Sequence, residues 1–475
     1  MRDAGRISAA IDVLTAIETR HLTVRRALKA WGDDARYAGA KDRAFVSGLV
    51  LDVLRKQRSL AWAMGAETQR ARVLGALGLL WGWPIDRIAE AAGDETHGAG
   101  ALADAERAAL NSFPDGEGGP RSGGWGLAAT LTAPSDDSPP QSASPTAPPG
   151  GEQFSSAPAP VLGDYPDWLD IPLARVFGEA RAAETAVLAT RASVDLRINT
   201  LKTDDVRALK ALTPLGVQPA GVMTHALRIT APAAEDRTPS IESVPEFAKG
   251  WFEVQDLGSQ IAAAAAGEIK GKQVMDFCAG GGGKTLALAA AMGNSGQLYA
   301  YDSDARRLTE TVTRSQRAGV RNLQVRSPLQ ADALSGLEAK MDVVFVDAPC
   351  TGSGTWRRHP DAKWRLTEAQ LEQRQADQDA VLNGSSAYVK PGGRLVYVTC
   401  SLLMEENEDR VAAFLAGHLE FTQTPALAQI AASGLADPDA LDALAQRQSS
   451  EGAIRLSPLT FGTDGFFVAV LERGR

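Results

Sequence analysis

Apolar residues recur at spacings of three and four through the first part of this chain, in IDVLTAIE, VRRALKAW, DRAFVSGLVLDVLRKQRSLAWAM and RARVLGALGLLWGW. That period places them on one face of a helix, so residues 1–110 are predicted to form an all-helical domain. The pattern then stops. Residues 111–163, with DGEGGPRSGG and PSDDSPPQSASPTAPPGG, hold too few large apolar side chains to offset the entropy of ordering and are expected to be a disordered linker. From 164 to 250 a helix through ARVFGEARAAETAVLAT, a strand at VDLRINT, a helix at DDVRALKALTPLG and a strand near ALRIT predict a small α+β domain. From 251 to 475 apolar runs of strand length (KQVMDFC, GQLYAYD, NLQVRS, MDVVFVD, GRLVYVT) alternate with helical stretches, the signature of a parallel α/β sheet. An Ala-rich stretch at 425–447 reads as a helical insertion on the surface, and DGFFVAVLER as a last strand.

Composition narrows the setting. The chain has 475 residues, 44% of them hydrophobic, enough for two or three domains with real cores. Three widely spaced cysteines, with no CxxC or close Cys/His pair, predict neither a disulfide framework nor a metal site and fit a reducing cytoplasm. The N-terminal stretch MRDAGRISAAIDVLTAIETRHL has no continuous apolar core, so neither signal peptide nor membrane anchor is expected. A net charge of −9 argues against a nucleic-acid binder, but the clusters WRRHPDAKWR and RASVDLRINTLK could line a basic groove or simply be solvated faces.

The cysteines carry the sharpest signal. Cys278, Cys350 and Cys400 each close an apolar run that leads into a loop: VMDFCAGGGGKT, MDVVFVDAPCTGSG and RLVYVTCSLLMEENE. On parallel neighbouring strands the three would converge at the edge where open sheets bind ligands; the plainer reading is three small buried hydrophobes. DFCAGGGGKT is not a phosphate loop, because Cys278 stands where G-x-x-x-x-G-K-[ST] needs its first glycine. A glycine turn entering a helix still lets a nucleoside or carboxylate lie against bare amides. Asp302 closes the next strand, where a carboxylate can accept from both ribose hydroxyls. Asp332 stands where it could meet an adenine amino group or cap a helix. Pro349 stiffens the elbow that carries Asp347 and Cys350.

Together, VQDLGSQ, DFCAGGGGKT, DAPCTGSGTWRRHPDAKW, TCSLLMEENE and DGFF resemble the Sun-type RNA cytosine carbon-5 methyltransferases, over roughly 165–475. DRAFVSGLVLDVLRKQRSL resembles the NusB-like RNA-binding domain that precedes the catalytic region in the 16S rRNA members. The resemblance implies a class I Rossmann-like methyltransferase domain that uses S-adenosylmethionine. It implies that Cys278, Ala279, Gly280, Gly281, Gly282, Gly283 and Lys284 wrap the cofactor, that Asp302 holds its ribose, and that Asp332 lies near its adenine. Asp347 would serve both cofactor and base pockets, Cys400 would be the nucleophile, and Cys350 would assist release of the methylated base. Arg197, Asn199, Lys202, Gln255 and Asp256 match positions near the RNA path, or make ordinary strand-end hydrogen bonds. His359 is expected near the substrate backbone, and the five histidines show no catalytic pattern.

Two departures stand out. The glycine loop reads CAGGGGKT where the family pattern is closer to CAAPGGKT, and the helical domain meets the linker before a closing helix. The expected function is methylation of 16S rRNA by a monomer without metal or membrane. The alternatives are tRNA as substrate, or an assembly factor that has lost catalysis.

Overall fold

A computed structural model describes residues 1–113, 154, 156–232 and 241–475. They divide into two compact units, the first built from Met1–Arg191 and Trp356–Arg365, the second from most of the remainder. No helix among the described residues is long and apolar enough to cross a membrane.

The first unit is helical. Asp3–Arg20, Val24–Asp34, Ala40–Arg55, Gln57–Met64, Gln69–Gly75, Ile85–Ala92 and Asp104–Asn111 enclose Val13, Leu14, Val46, Leu49, Val53, Leu74 and Leu77, apolar positions of the sequence pattern. The expected linker lies largely outside the described residues, but its ends are not linker. Phe113 and Phe154 are buried in the helical core, and Ala159–Leu162 is a helix. Composition averaged over the stretch concealed these two aromatic anchors.

The boundary expected at 164 also moves, to the region of Arg191. Asp164, fully buried, accepts hydrogen bonds from the backbone N–H of Arg58 (3.0 Å) and Ser59 (2.9 Å) and from Ser59 Oγ (2.8 Å). It thereby satisfies the open N-terminus of the helix Gln57–Met64. Arg191 reaches Asp52 at 2.6 Å. The basic cluster at 356–365 is only partly a charged face. Arg357 and Lys363 are buried; Lys363 Nζ donates to the Arg55 carbonyl (2.8 Å), Trp364 Nε1 to that of Leu54 (2.7 Å), and burial pushes the Lys363 amine down to about 7.

The second unit holds two sheets. The small one, in order β2-β3-β1-β4, is antiparallel: β1 Val194–Ile198, β2 Gln218–Pro219, β3 Ala226–Ile229 and β4 Phe252–Val254. Leu196, Ile198, Leu227, Ile229 and Phe252 cover Ala208 and Leu212 of the helix Asp205–Leu212. The segment WFEV, expected to open the large domain, instead supplies β4, so the boundary at 250/251 falls inside the small sheet.

The large sheet follows as β5 Gln273–Asp276, β6 Gln297–Tyr301, β7 Leu323–Arg326, β8 Met341–Asp347, β9 Val389–Thr399, β10 Phe421–Thr424, β11 Ile454–Leu456 and β12 Phe466–Arg473. Its order is β10-β12-β9-β8-β5-β6-β7, with β11 on β12. Strands β7, β6, β5, β8 and β9 are parallel, β12 pairs antiparallel with β9, and β10 pairs antiparallel with β12. This is the open α/β sheet that the alternating pattern predicted. Both faces are covered: Val343, Phe345, Val396 and Val398 meet Leu257, Ile261 and Leu288 on one side, while Val344, Val346, Leu395 and Tyr397 meet Leu382, Val411 and Phe414 on the other. Two-sided burial explains why these strands read as continuous apolar runs. The strand order reverses direction between β5 and β8, which opens a crevice at their C-terminal ends.

The Ala-rich stretch is two helices, Ala426–Ala432 and Pro438–Ala445, and not a purely surface insertion. Ala426, Ile430 and Leu444 are fully buried in the core that faces β12. Alanine packs closely without a large apolar side chain to announce it.

Candidate active site

Strand β5 ends at Asp276 and delivers the glycine turn. Gly280 (φ 53°) and Gly282 (φ 85°) take the left-handed conformation, and the helix Gly283–Met292 begins at once. The turn is held from outside. Asp302, after β6, accepts from Gly280 N–H (2.8 Å) and Asp304 N–H (2.8 Å); Thr311 Oγ1 donates to Gly280 O (2.9 Å) and Arg314 Nη1 to Gly281 O (2.7 Å). A side chain at Gly280 would meet the Arg307 guanidinium and one at Gly282 would meet Thr311, whereas Gly283 faces open space.

Asp276 lies beneath this turn and was not singled out from the sequence, although a charged residue ending an apolar strand is a readable signal. Its Oδ2 accepts from Thr285 Oγ1 (2.6 Å), and its Oδ1 is buried with no hydrogen-bond partner among the described residues. Burial first, and then the charges of Asp347 and Asp302, push its carboxyl up to about 7 against an ordinary 3.8. The folded protein therefore binds a proton here that the unfolded chain has released. The associated stability is present in full below about pH 4 and is lost as pH rises through 7. Asp276→Asn is expected to remove this slope, gaining on the order of 3 kcal/mol relative to wild type at pH 8 over pH 4. Urea midpoints at the two pH values measure it, and parallel profiles for the two proteins would refute it.

At the end of β8, Asp347 is paired with Lys284 Nζ at 3.0 Å, and that lysine also lies 5.2 Å from the Phe466 ring. The two following loops bring Cys350 and Cys400 together with Sγ atoms 3.3 Å apart. The contact with Cys400, then burial, and then the Glu406 charge push the Cys350 thiol well up. All three cysteines follow the C-terminal ends of the neighbouring parallel strands β5, β8 and β9, as expected, and the thiol–thiol contact is that of Cys350 with Cys400. Cys400 packs against the cluster of Val396 and Val398, whereas Cys278 packs with Phe277 and Tyr299 against the cluster of Met275 and Val344, and burial raises its thiol as well.

The other singled-out residues scatter. Asp332 is exposed in a run of turns, so no helix is there to cap. Asn199 Nδ2 donates to the carbonyls of Gly250 (2.7 Å) and Ala318 (2.8 Å), and Asp256 caps the helix Leu257–Ala264 through Gly258 N–H (2.8 Å). These two make the ordinary structural bonds. Arg197 is buried, which lowers it to about 10; its Nε donates to Gln255 Oε1 (2.7 Å), and Gln255 Nε2 reaches the Gly283 carbonyl (3.3 Å). Lys202 and His359 are exposed, the latter in the segment that belongs to the first unit.

Residues 266–472 match the family described as 16S rRNA methyltransferase RsmB/F. A Synechocystis protein named probable ribosomal RNA small subunit methyltransferase B is 31% identical over 328 residues, 68% of each chain. The chain belongs to the RsmB/F methyltransferase family. Among solved structures, PH0851 covers 100% of this chain and 99% of its own at a TM-score of 0.64 and 23% identity, a likeness of fold. A methyltransferase homologue from Pyrococcus horikoshii covers 66% of this chain and 97% of its own, with a TM-score of 0.52 and 28% identity.

Membership in the RsmB/F family makes the protein an RNA methyltransferase with S-adenosylmethionine as cofactor. The residues present fit that molecule. The turn offers glycine amides and open space at Gly283, Asp302 keeps acceptor capacity on Oδ1 beyond the Asp304 bond while its Oδ2 also faces Arg307 Nη1 at 3.5 Å, and Asp276 holds an unpaired carboxylate oxygen.

Proposed function

We propose that the protein methylates carbon 5 of a cytosine in 16S rRNA through a covalent adduct to Cys400. The observation that carries this reading is the contact of Cys350 and Cys400 Sγ at 3.3 Å, beside the Lys284–Asp347 pair at 3.0 Å. A binding module has no use for two touching thiols at the mouth of its cofactor crevice.

Cytosine carbon 5 is a poor nucleophile until a thiolate adds to carbon 6. Cys400 forms that carbon–sulfur bond, and the electron pair of the 5,6 double bond moves toward carbon 5. Asp347, held by Lys284, accepts from the exocyclic amino group beside N3 and so orients the base for attack. S-adenosylmethionine, when bound, would supply an electrophilic methyl group to carbon 5 and leave as S-adenosylhomocysteine; Cys278 through Lys284 would hold it, with Asp302 at the ribose and Asp332 near the adenine. The proton on carbon 5 then departs with the participation of Cys350, the double bond reforms, and the carbon–sulfur bond to Cys400 breaks. The base must leave its stack first, which is least costly in a loop or unpaired site. The helical unit is assigned to RNA contact, and the cytoplasm to the whole reaction.

Incubation with labelled S-adenosylmethionine and, separately, unmodified 16S rRNA and tRNA tests this. Label recovered as 5-methylcytosine in 16S rRNA is the expected result. Label in tRNA alone moves the substrate, and cofactor binding without transfer to either RNA favours a non-catalytic assembly factor.

A further inference from the structure

Below the cysteine pair, four donors meet one carboxylate. Glu406 is fully buried; its Oε1 accepts from Thr351 N–H (2.7 Å) and Gln378 Nε2 (3.0 Å), and its Oε2 from Thr351 Oγ1 (2.5 Å) and Ser401 Oγ. Thr351 directly follows Cys350, and Ser401 directly follows Cys400. One side chain thus bonds the next residue after each sulfur. Gln378 extends the tie to the residue before Cys350, donating also to the Pro349 carbonyl (2.9 Å).

The carboxylate is itself held in place. The Glu406 carbonyl accepts from Tyr397 OH (2.6 Å), and its neighbour Asn407 accepts from Thr399 Oγ1 (2.5 Å) and donates to the Ser401 carbonyl (2.9 Å). No ion pair reaches Glu406 among the described residues, so hydrogen bonds alone meet its charge, and burial raises its pKa above the usual carboxylate value. A charge buried this way costs stability, and a well-packed apolar residue would cost less.

We propose that Glu406 is a positioning residue, tying the two loops so that the Cys350 and Cys400 sulfurs stand in contact for the two-cysteine reaction. The inference rests on the carbon-5 reading above. It assigns Glu406 no contact with substrate. Its work is to keep two strand-end loops, which are separate in sequence, at one spacing.

Glutamine separates geometry from charge. Its amide oxygen can accept from Thr351 N–H and Gln378 Nε2, while its NH2 donates to the Thr351 and Ser401 hydroxyls, which rotate to accept. Alanine removes every bond. Full-length Glu406→Ala and Glu406→Gln are compared with wild type in two assays. The first is diamide oxidation of Cys350 and Cys400, in which two thiols pass two electrons and two protons to the diazene; peptide mass spectrometry quantifies the disulfide. The second is methyl transfer, with kcat and the KM for S-adenosylmethionine read separately.

Glu406→Ala is expected to slow the disulfide about tenfold and lower kcat about 100-fold with KM changed less than about threefold, and Glu406→Gln to recover both within about threefold. Disulfide formation at the wild-type rate in Glu406→Ala, or no recovery in Glu406→Gln, overturns the proposal. If Glu406→Ala fails to fold, Thr351→Val and Ser401→Ala each remove one hydroxyl donor; slower disulfide formation supports the tie, and unchanged rates in both overturn it. Disulfide formation needs no RNA, so it reads the tie even where wild-type protein transfers no methyl group and the carbon-5 reading fails.

Discussion

Cys400→Ala is expected to lose methyl transfer to RNA by on the order of 10⁴-fold or more, the scale of removing an attacking nucleophile. Cofactor affinity should hold, because the glycine turn, Asp302 and Asp276 stand on other strands. The substitution is also mild. The Cys400 carbonyl still accepts from Gly354 N–H (2.9 Å), and only one sulfur leaves a site that is half-buried. Cys350→Ala has a different outcome. If Cys350 participates in removing the carbon 5 proton, its loss traps Cys400 on the base, and a protein–RNA adduct that survives denaturing electrophoresis accumulates. The double variant should form none. Transfer by Cys400→Ala above about a hundredth of the wild-type rate would remove that residue as nucleophile.

Asp302→Ala should weaken binding of S-adenosylhomocysteine, measured by calorimetry, about 100-fold. Two effects add. The carboxylate accepts from Gly280 and Asp304 N–H, both at 2.8 Å, and its loss leaves the buried Gly280 donor unpaired, at about 1–3 kcal/mol, while the exposed Asp304 donor turns to water. The acceptor capacity assigned to the ribose hydroxyls goes with it. Asp302→Asn keeps one oxygen that can retain the Gly280 bond and should fall between, near tenfold. An unchanged affinity in Asp302→Ala would place the ribose elsewhere and leave Asp302 as a tie of the turn alone.

The pattern along the chain reached most of the second unit because its strands are buried on both faces. MDVVFVD and RLVYVT read as strands without any knowledge of what covers them, and β8 and β9 appear there. The loops after them were legible for the same reason, since Gly, Pro and Cys interrupt an apolar run sharply. Helical periodicity likewise located the N-terminal helices, although DRAFVSGLVLDVLRKQRSLAWAM breaks at Lys56 into two. What escaped were residues whose partners are distant. Phe113 and Phe154 look like stray aromatics in a polar tract until they meet the helical core, and WFEV looks like the start of a domain until it pairs with β1.

The sequence by itself determined the elements, the family motifs and which side chains could do the chemistry, because periodicity, turn residues and apolar runs are local properties of the chain. Only the tertiary structure decided which of those side chains meet. It put Cys350 and Cys400 in contact and Cys278 in another cluster, since that depends on the order β9-β8-β5 and on the path of each loop. It also chose Glu406 from the glutamates of MEENE. Neighbouring residues of one composition differ only in the direction their side chains take, and the donors that fix that direction, Thr351, Gln378 and Ser401, come from three segments that the fold alone assembles.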